Sequence, residues 1–458
     1  MLPQMDAIRM FSMKPHKRPH DLHLTPCRRA LPWLLLVLLT ACPGDPSPSE
    51  DTSTDTRPGG RSYLLAARAE AYDFTAARPA TPSLSSLTIP GSTPKFAPAE
   101  PIPEVDRPIE AVVIPASLIG IPWTSFNGPD NRPSELPAAW LAAVESLESL
   151  AADANTPIVV ALTPLSPEFD TLAPLASDQS GALVLNPTWK PACYDPSKDS
   201  NPDLHANQYA GYVTWMVERF SPRFVILGER LNLYETTCGP SAYAAVANFT
   251  AEARERLSSS LAPDKPLTAI TVDVEDLYGF PKKPGRCQTG TPADCLESRK
   301  SLLTGLDADL LGLESYPFRA FNVATDIPSD WLSTLADLST IPVFIAGTAI
   351  PSTLIETEKG ACVPLFESSP DAQRTWLDQV LSLSSVEKAP LVVWRSLVDL
   401  LPSSIAAGCP CAGDFALCSH LDGLGGKADD RRLFLLSGLS SSPGGALDVW
   451  RTVFSPDP

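Results

Sequence analysis

The chain is poor in charge: Asp, Glu, Lys and Arg together make up 19% of its 458 residues. Histidine is scarcer still, and beyond residue 42 only His205 and His420 remain. Without a histidine cluster, the closely spaced Cys409, Cys411 and Cys418 are not expected to bind zinc, and neither a metal nor a cofactor is expected. No GxGxxG follows any apolar run, which removes the best signal of a dinucleotide-binding sheet. The Gly423–Lys427 stretch has the wrong spacing for a phosphate loop and is followed by Ala428. Neither GxSxG nor HExxH occurs, so serine-hydrolase and zinc-protease chemistry lose their strongest marks. The apolar run Leu31–Leu39 is too short to span a bilayer as a helix.

What is present begins with an address. Arg9, Lys14, Lys17, Arg18, Arg28 and Arg29 form a basic stretch ahead of Leu31–Leu39, and small residues lead to Cys42. Leu39-Thr40-Ala41-Cys42 resembles a bacterial lipobox, which implies a signal peptide over residues 1–41 and a lipid on Cys42. Residues 42–60 are polar and rich in Pro, Ser and Thr, and are expected to be a disordered tether. Residues 61–458 are left as one large folded domain. Export to the cell envelope follows, at the outer membrane or cell surface, with membrane contact through the lipid alone. Beyond residue 42 the chain carries 29 basic and 51 acidic residues, a net charge of −22, which argues against nucleic acid as a partner. Eight cysteines remain there, and an even number in an exported chain favours disulfides. Cys287–Cys295, close together in one polar loop, is the first expected bridge, and Cys193–Cys238 the next.

Short apolar runs then recur between helical patterns. Strands are expected at Ser62–Ala71, Ala111–Pro115, Ile158–Leu162, Phe224–Gly228, Leu267–Val272, Leu310–Leu313, Val343–Ala346 and Leu391–Trp394. Helices are expected at Glu135–Ala154, Ala206–Phe220, Ser241–Leu257, Pro328–Leu338, Asp371–Leu383, Lys427–Leu436 and Leu447–Phe454. Residues 76–108 and the stretch Thr163–His205 read as irregular connections. Eight buried strands, mostly alternating with helices, predict a (β/α)8 barrel with long loops.

In such a barrel the carboxyl ends of all strands meet around one mouth. The residues there are Glu229, Asp273, Glu275, Glu314, Tyr316, Gly347, Thr348, Trp394 and Asp399. Carboxylates beside an aromatic face are what a carbohydrate site needs: an acid to protonate the leaving oxygen, and a ring to stack on sugar C–H groups. Arg230 would neutralise Glu229, and Asn232 follows as a helix cap or a sugar contact.

Three stretches resemble the retaining (β/α)8-barrel glycoside hydrolases, the group that contains the endo-β-1,4-galactanases. They are Arg223–Asn232 (RFVILGERLN), Asp309–Phe318 (DLLGLESYPF) and Ile341–Ser352 (IPVFIAGTAIPS). The resemblance implies Glu229 as acid/base, with Asn232, Tyr316 and Trp394 positioning a β-linked polysaccharide or oligosaccharide. It places the nucleophile at position 347, which is glycine and can form no glycosyl-enzyme bond. Three explanations stay open. The barrel has lost hydrolysis and binds a glycan or a protein as a surface scaffold; or Glu314, Glu356 or Glu358 replaces the missing carboxylate; or the substrate or an external nucleophile completes the site.

Overall fold

The computed structural model describes residues 61–68, 96–98, 109–127, 133–154, 156–260, 265–280, 287, 290–304, 306–356, 364–395, 397, 400–402 and 437–454. Cys42, Asp399, Cys409, Cys411, Cys418, His420, Glu358 and the expected helix Lys427–Leu436 lie outside them, as does the side chain of Glu356.

Eight parallel strands close a barrel: β1 (Leu64–Arg68), β2 (Ala111–Pro115), β3 (Ile158–Ala161), β4 (Phe224–Gly228), β5 (Leu267–Asp273), β6 (Leu310–Ser315), β7 (Val343–Thr348) and β8 (Leu391–Trp394). Each pairs with its neighbours in sequence, and β1 pairs with both β2 and β8 to complete the ring. The main covering helices are α1 (Ala138–Ala154), α2 (Leu204–Phe220), α3 (Asn232–Cys238), α4 (Pro240–Ser260), the single turn α5 (Val274–Leu277), α6 (Pro292–Arg299), α7 (Ser301–Thr304), α8 (Ser333–Leu338), α9 (Pro370–Val386) and α10 (Ala446–Phe454). None of the described helices is long and apolar enough to cross a membrane.

Alternate strand residues sort into two buried sets, as the period of two requires. Leu64, Ala66, Ala111, Val113, Val159, Ala161, Phe224, Ile226, Ala269, Leu310, Phe344, Ala346, Leu391 and Val393 form one cluster, drawn from all eight strands, which fills the lumen. The intervening residues join the larger cluster under the helices, and Trp394 belongs to that outer set along with Val392. Lumen packing is tight: a Cβ on Gly312 would come within 2.7 Å of Ala346 Cβ and 2.9 Å of Phe344 Cζ. A larger residue there would push the barrel apart.

Several boundaries differ from expectation. β1 ends at Arg68, so its last lumen-facing side chain is a guanidinium. β5, β6 and β7 run on to Asp273, Ser315 and Thr348. The stretch after β3 is not wholly irregular: Leu175–Gln179 and Ala182–Asn186 form a hairpin. Its turn, Ser180-Gly181, has both residues at positive φ, the geometry that two-residue hairpin turns favour. Both expected disulfides are present. Cys193–Cys238 ties the β3–α2 loop to the end of α3 with Cα atoms 4.9 Å apart, and Cys287–Cys295 has Cα atoms 5.3 Å apart.

Candidate functional site

Strand parity decides what reaches the mouth. Arg68 follows Leu64 and Ala66 into the lumen, and Glu314 follows Leu310 and Gly312. On β7 the register shifts between Ile345 and Gly347, and this bulge sets Gly347 directly opposite Glu314. A second shift, between Ile226 and Gly228, lies at the end of β4 just before Glu229.

Glu229 is 4% exposed, and both its oxygens are occupied as acceptors. Arg68 Nη2 donates to Oε1 at 2.9 Å and Ser117 Oγ donates to Oε2 at 3.0 Å. The expected partner, Arg230, turns elsewhere. Its backbone takes a left-handed φ of 48°, and its amide donates to Thr271 Oγ1 at 2.8 Å. Its guanidinium then lies 3.4 Å from Asp273 Oδ2 and 3.8 Å from Glu314 Oε2, with the Phe169 ring over it at 4.4 Å.

Glu314 accepts from Thr271 Oγ1 at 2.6 Å. Burial pushes its carboxyl above the usual range; the Arg230 charge opposes that rise and the nearby Glu229 adds to it. Asp273 caps α5 through Asp276 N at 2.9 Å and is paired with both Arg230 and Arg319. Glu275 accepts from Ser315 Oγ at 2.7 Å and from the Tyr316 amide at 3.0 Å. Burial first, and the Asp273 charge second, push Glu275 up to about 7.

The other expected residues fall into place around this lattice. Asn232 is fully engaged within the fold. Its Nδ2 donates to Asp273 O at 3.0 Å and Asp276 Oδ2 at 2.8 Å, and its Oδ1 accepts from Asp273 N at 2.7 Å. It locks α3 to the end of β5. Trp394 is fully buried on the outer face of β8 and donates to Ser437 O at 3.1 Å. The stacking face expected of it is therefore packed against protein, because its parity points it toward the helices. Tyr316 is fully buried in the mouth. Its hydroxyl sits 2.8 Å from where a Cβ on Gly347 would be, and Glu314 Oε2 lies 3.6 Å from that same point.

Sequence reasoning missed Arg68, Ser117, Thr271 and Arg319. For Arg68 the signal was parity counted from Leu64, hidden by placing the strand end at Ala71. Among the described residues no group of three or more His, Cys, Asp or Glu is arranged to hold a metal ion. Chemically, the mouth holds three buried arginines (Arg68, Arg230, Arg395), the partly buried Arg319, and five buried carboxylates (Glu229, Asp273, Glu275, Asp276, Glu314). The named contacts are charge-assisted pairs, which need good geometry to offset desolvation.

No family model matches this chain, and no curated protein does. Solved structures do share similarity with it. A structure of fungal β-1,4-galactanases is 16% identical, with 56% of this chain and 72% of that chain covered and a TM-score of 0.34. The GH53 catalytic domain from Ignisphaera aggregans is 15% identical, with 62% and 72% covered and a TM-score of 0.32. A GH5-4 broad-specificity endoglucanase from an uncultured bacterium is 13% identical, with 78% and 94% covered and a TM-score of 0.42. Likeness at this level adds nothing to the barrel that the strand order already establishes, and function has to be read from the side chains.

Proposed function

We propose that the chain is an envelope-tethered barrel of the glycosidase type that binds a β-linked glycan without hydrolysing it by the two-carboxylate route. Residues 1–41 serve as its signal peptide, Cys42 carries the lipid, residues 42–60 form the tether and residues 61–458 the barrel. The observation that carries this reading is the contact at position 347. Gly347 has no carboxylate, and the Tyr316 hydroxyl lies 2.8 Å from the place where a side chain would start. Glu229 is itself held within the fold, accepting from Arg68 at one oxygen and from Ser117 at the other. Polar groups gathered at the carboxyl ends of barrel strands are where this fold holds its ligands.

One observation favours a second reading, in which hydrolysis persists with Glu314 in the nucleophile's or base's role. Its Oε2 lies 3.6 Å from the missing side chain's origin, on the facing strand. The test uses the protein with Cys42→Ala, so that no lipid attaches, on a panel of β-linked glycans. Binding without release of reducing ends is the expected result. Release that disappears in Glu229→Gln or Glu314→Gln overturns the non-hydrolytic reading in favour of the second. Neither binding nor release overturns both and leaves a protein-binding scaffold.

A further inference from the structure

Outside the mouth, the described residues hold one buried histidine with an unusual setting. His205 is the second residue of α2 and is 5% exposed. Three rings enclose it at steep angles: Trp123 at 5.9 Å, Trp189 at 5.6 Å and Tyr194 at 5.8 Å between centroids. Its Nδ1 lies 2.6 Å from Gln208 Oε1, so Nδ1 carries the proton of the neutral ring. The amide of Gln208 in turn donates to Asn127 Oδ1, which fixes that orientation. Nε2 is left as a buried lone pair with no hydrogen-bond partner, 3.5 Å from Asp199 Oδ2.

The charged groups that face this ring are Asp199 and Lys190, both from the β3–α2 loop. Lys190 Nζ is 3.6 Å from Asp199 and sits 4.2 Å over the Tyr194 ring, whose hydroxyl also donates to Asp199. From the other elements packed here the described neighbours are uncharged: Gln208 on α2, and Trp123 from the turn after β2. Burial and the Lys190 charge oppose protonation, while Gln208 and Asp199 favour it, and the balance holds His205 below its ordinary value. The amino end of α2 opposes a positive charge as well.

What the ring holds down reaches the mouth at one residue, Phe169. Trp123 and Trp189, two of its three walls, both donate to Ala173 O, at 3.0 and 2.8 Å. Four residues earlier, Phe169 lies on Arg230 with a left-handed φ of 55°, a conformation Phe keeps only when its surroundings impose it. Tyr194, the third wall, accepts through its carbonyl from Tyr234 on α3 at 2.6 Å.

We infer that His205 is an acid-released fastening for a lid, the segment Phe169–Ala173 of the β3–α2 loop, which keeps Phe169 laid on Arg230 at the mouth while the imidazole is neutral. A proton on Nε2 puts a charge inside the aromatic box. The walls give way, Ala173 loses its donors, and Phe169 lifts from Arg230. The sign is fixed by linkage: the closed lid prefers neutral histidine, so closure is complete above about 6.5 and weakens as pH falls through and below it. This holds whatever the mouth binds.

The test is hydrogen exchange on the full chain in detergent at pH 7.5 and 5.5, corrected for intrinsic exchange, with α4 as internal reference. Opening of residues 169–173 is expected to increase roughly tenfold for a single proton over that interval, with α4 unchanged. In His205→Gln the increase disappears. Lys190→Met, a milder change in a partly buried side chain, removes a charge that opposes protonation, and the increase shrinks. Loop protection that does not fall with pH in the wild type overturns the inference. So does an increase that persists undiminished in His205→Gln or Lys190→Met.

Discussion

The two arcs of the barrel mouth are built by opposite means. Along β4, β5 and β6 the strand ends carry Glu229, Asp273 and Glu314, and each is met by an arginine. At β7 there is Gly347, then Thr348, which donates to Ser315 O and accepts from Trp376. One arc keeps its charges by pairing them; the other has none, and its space is taken by a tyrosine ring from β6. The difference teaches that losing a carboxylate from such a mouth is a matter of charge balance as well as volume. Even with glycine at 347, the buried carboxylates outnumber the buried arginines, so one more would have no cation to meet it.

The largest effect expected from breaking this contrast lies in the charged arc. Arg230→Met leaves Asp273 and Glu314 short of a buried partner, and denaturant unfolding should show a loss of about 3–5 kcal/mol. If the loss is below about 1 kcal/mol, in the range of exposed pairs, the arc is solvated and its contrast with β7 fails.

Next comes the uncharged arc. Gly347→Ala brings a methyl against the Tyr316 hydroxyl, and overpacking of this kind costs about 1–3 kcal/mol. The double change with Tyr316→Phe removes the obstructing atom, so its cost should fall below the sum of the two single changes. Gly347→Glu should restore no hydrolysis by itself, measured as reducing ends released.

The smallest effect is one of slope. Glu275 is held near 7, against 4.5 for an ordinary glutamate, so its contribution is complete below about 4.5 and is lost as pH rises through 7. Glu275→Gln should flatten that part of the stability–pH curve. A wild-type curve with no decline between those values would show that Glu275 is not held protonated in the fold.

Much of the barrel was legible because buried parallel strands are continuous apolar runs bounded by Gly, Pro or charge. Ala111–Pro115, Phe224–Gly228 and Leu391–Trp394 keep the bounds read from sequence. The hairpin at 175–186 was hidden because LASDQ is mostly polar, although the Ser180-Gly181 pair is a two-residue turn signal. The mouth was legible in its residue list but not in its pairing. Glu229, Glu314 and Tyr316 do meet there, yet which arginine serves which carboxylate depends on a bulge and on one left-handed residue, Arg230. Trp394 was misjudged for a simpler reason. Being at a strand end does not put a side chain in the mouth; only its parity does.

The Cys193–Cys238 bond has a consequence for the mouth. Asp170 O receives the Cys193 amide at 2.5 Å and lies 3.6 Å from Cys238 Sγ, so the bridge seats the residue next to Phe169. The backbone bond holds one side of this seat and the bridge holds the other, so a covalent tie to α3 stands one residue away from the ring on Arg230.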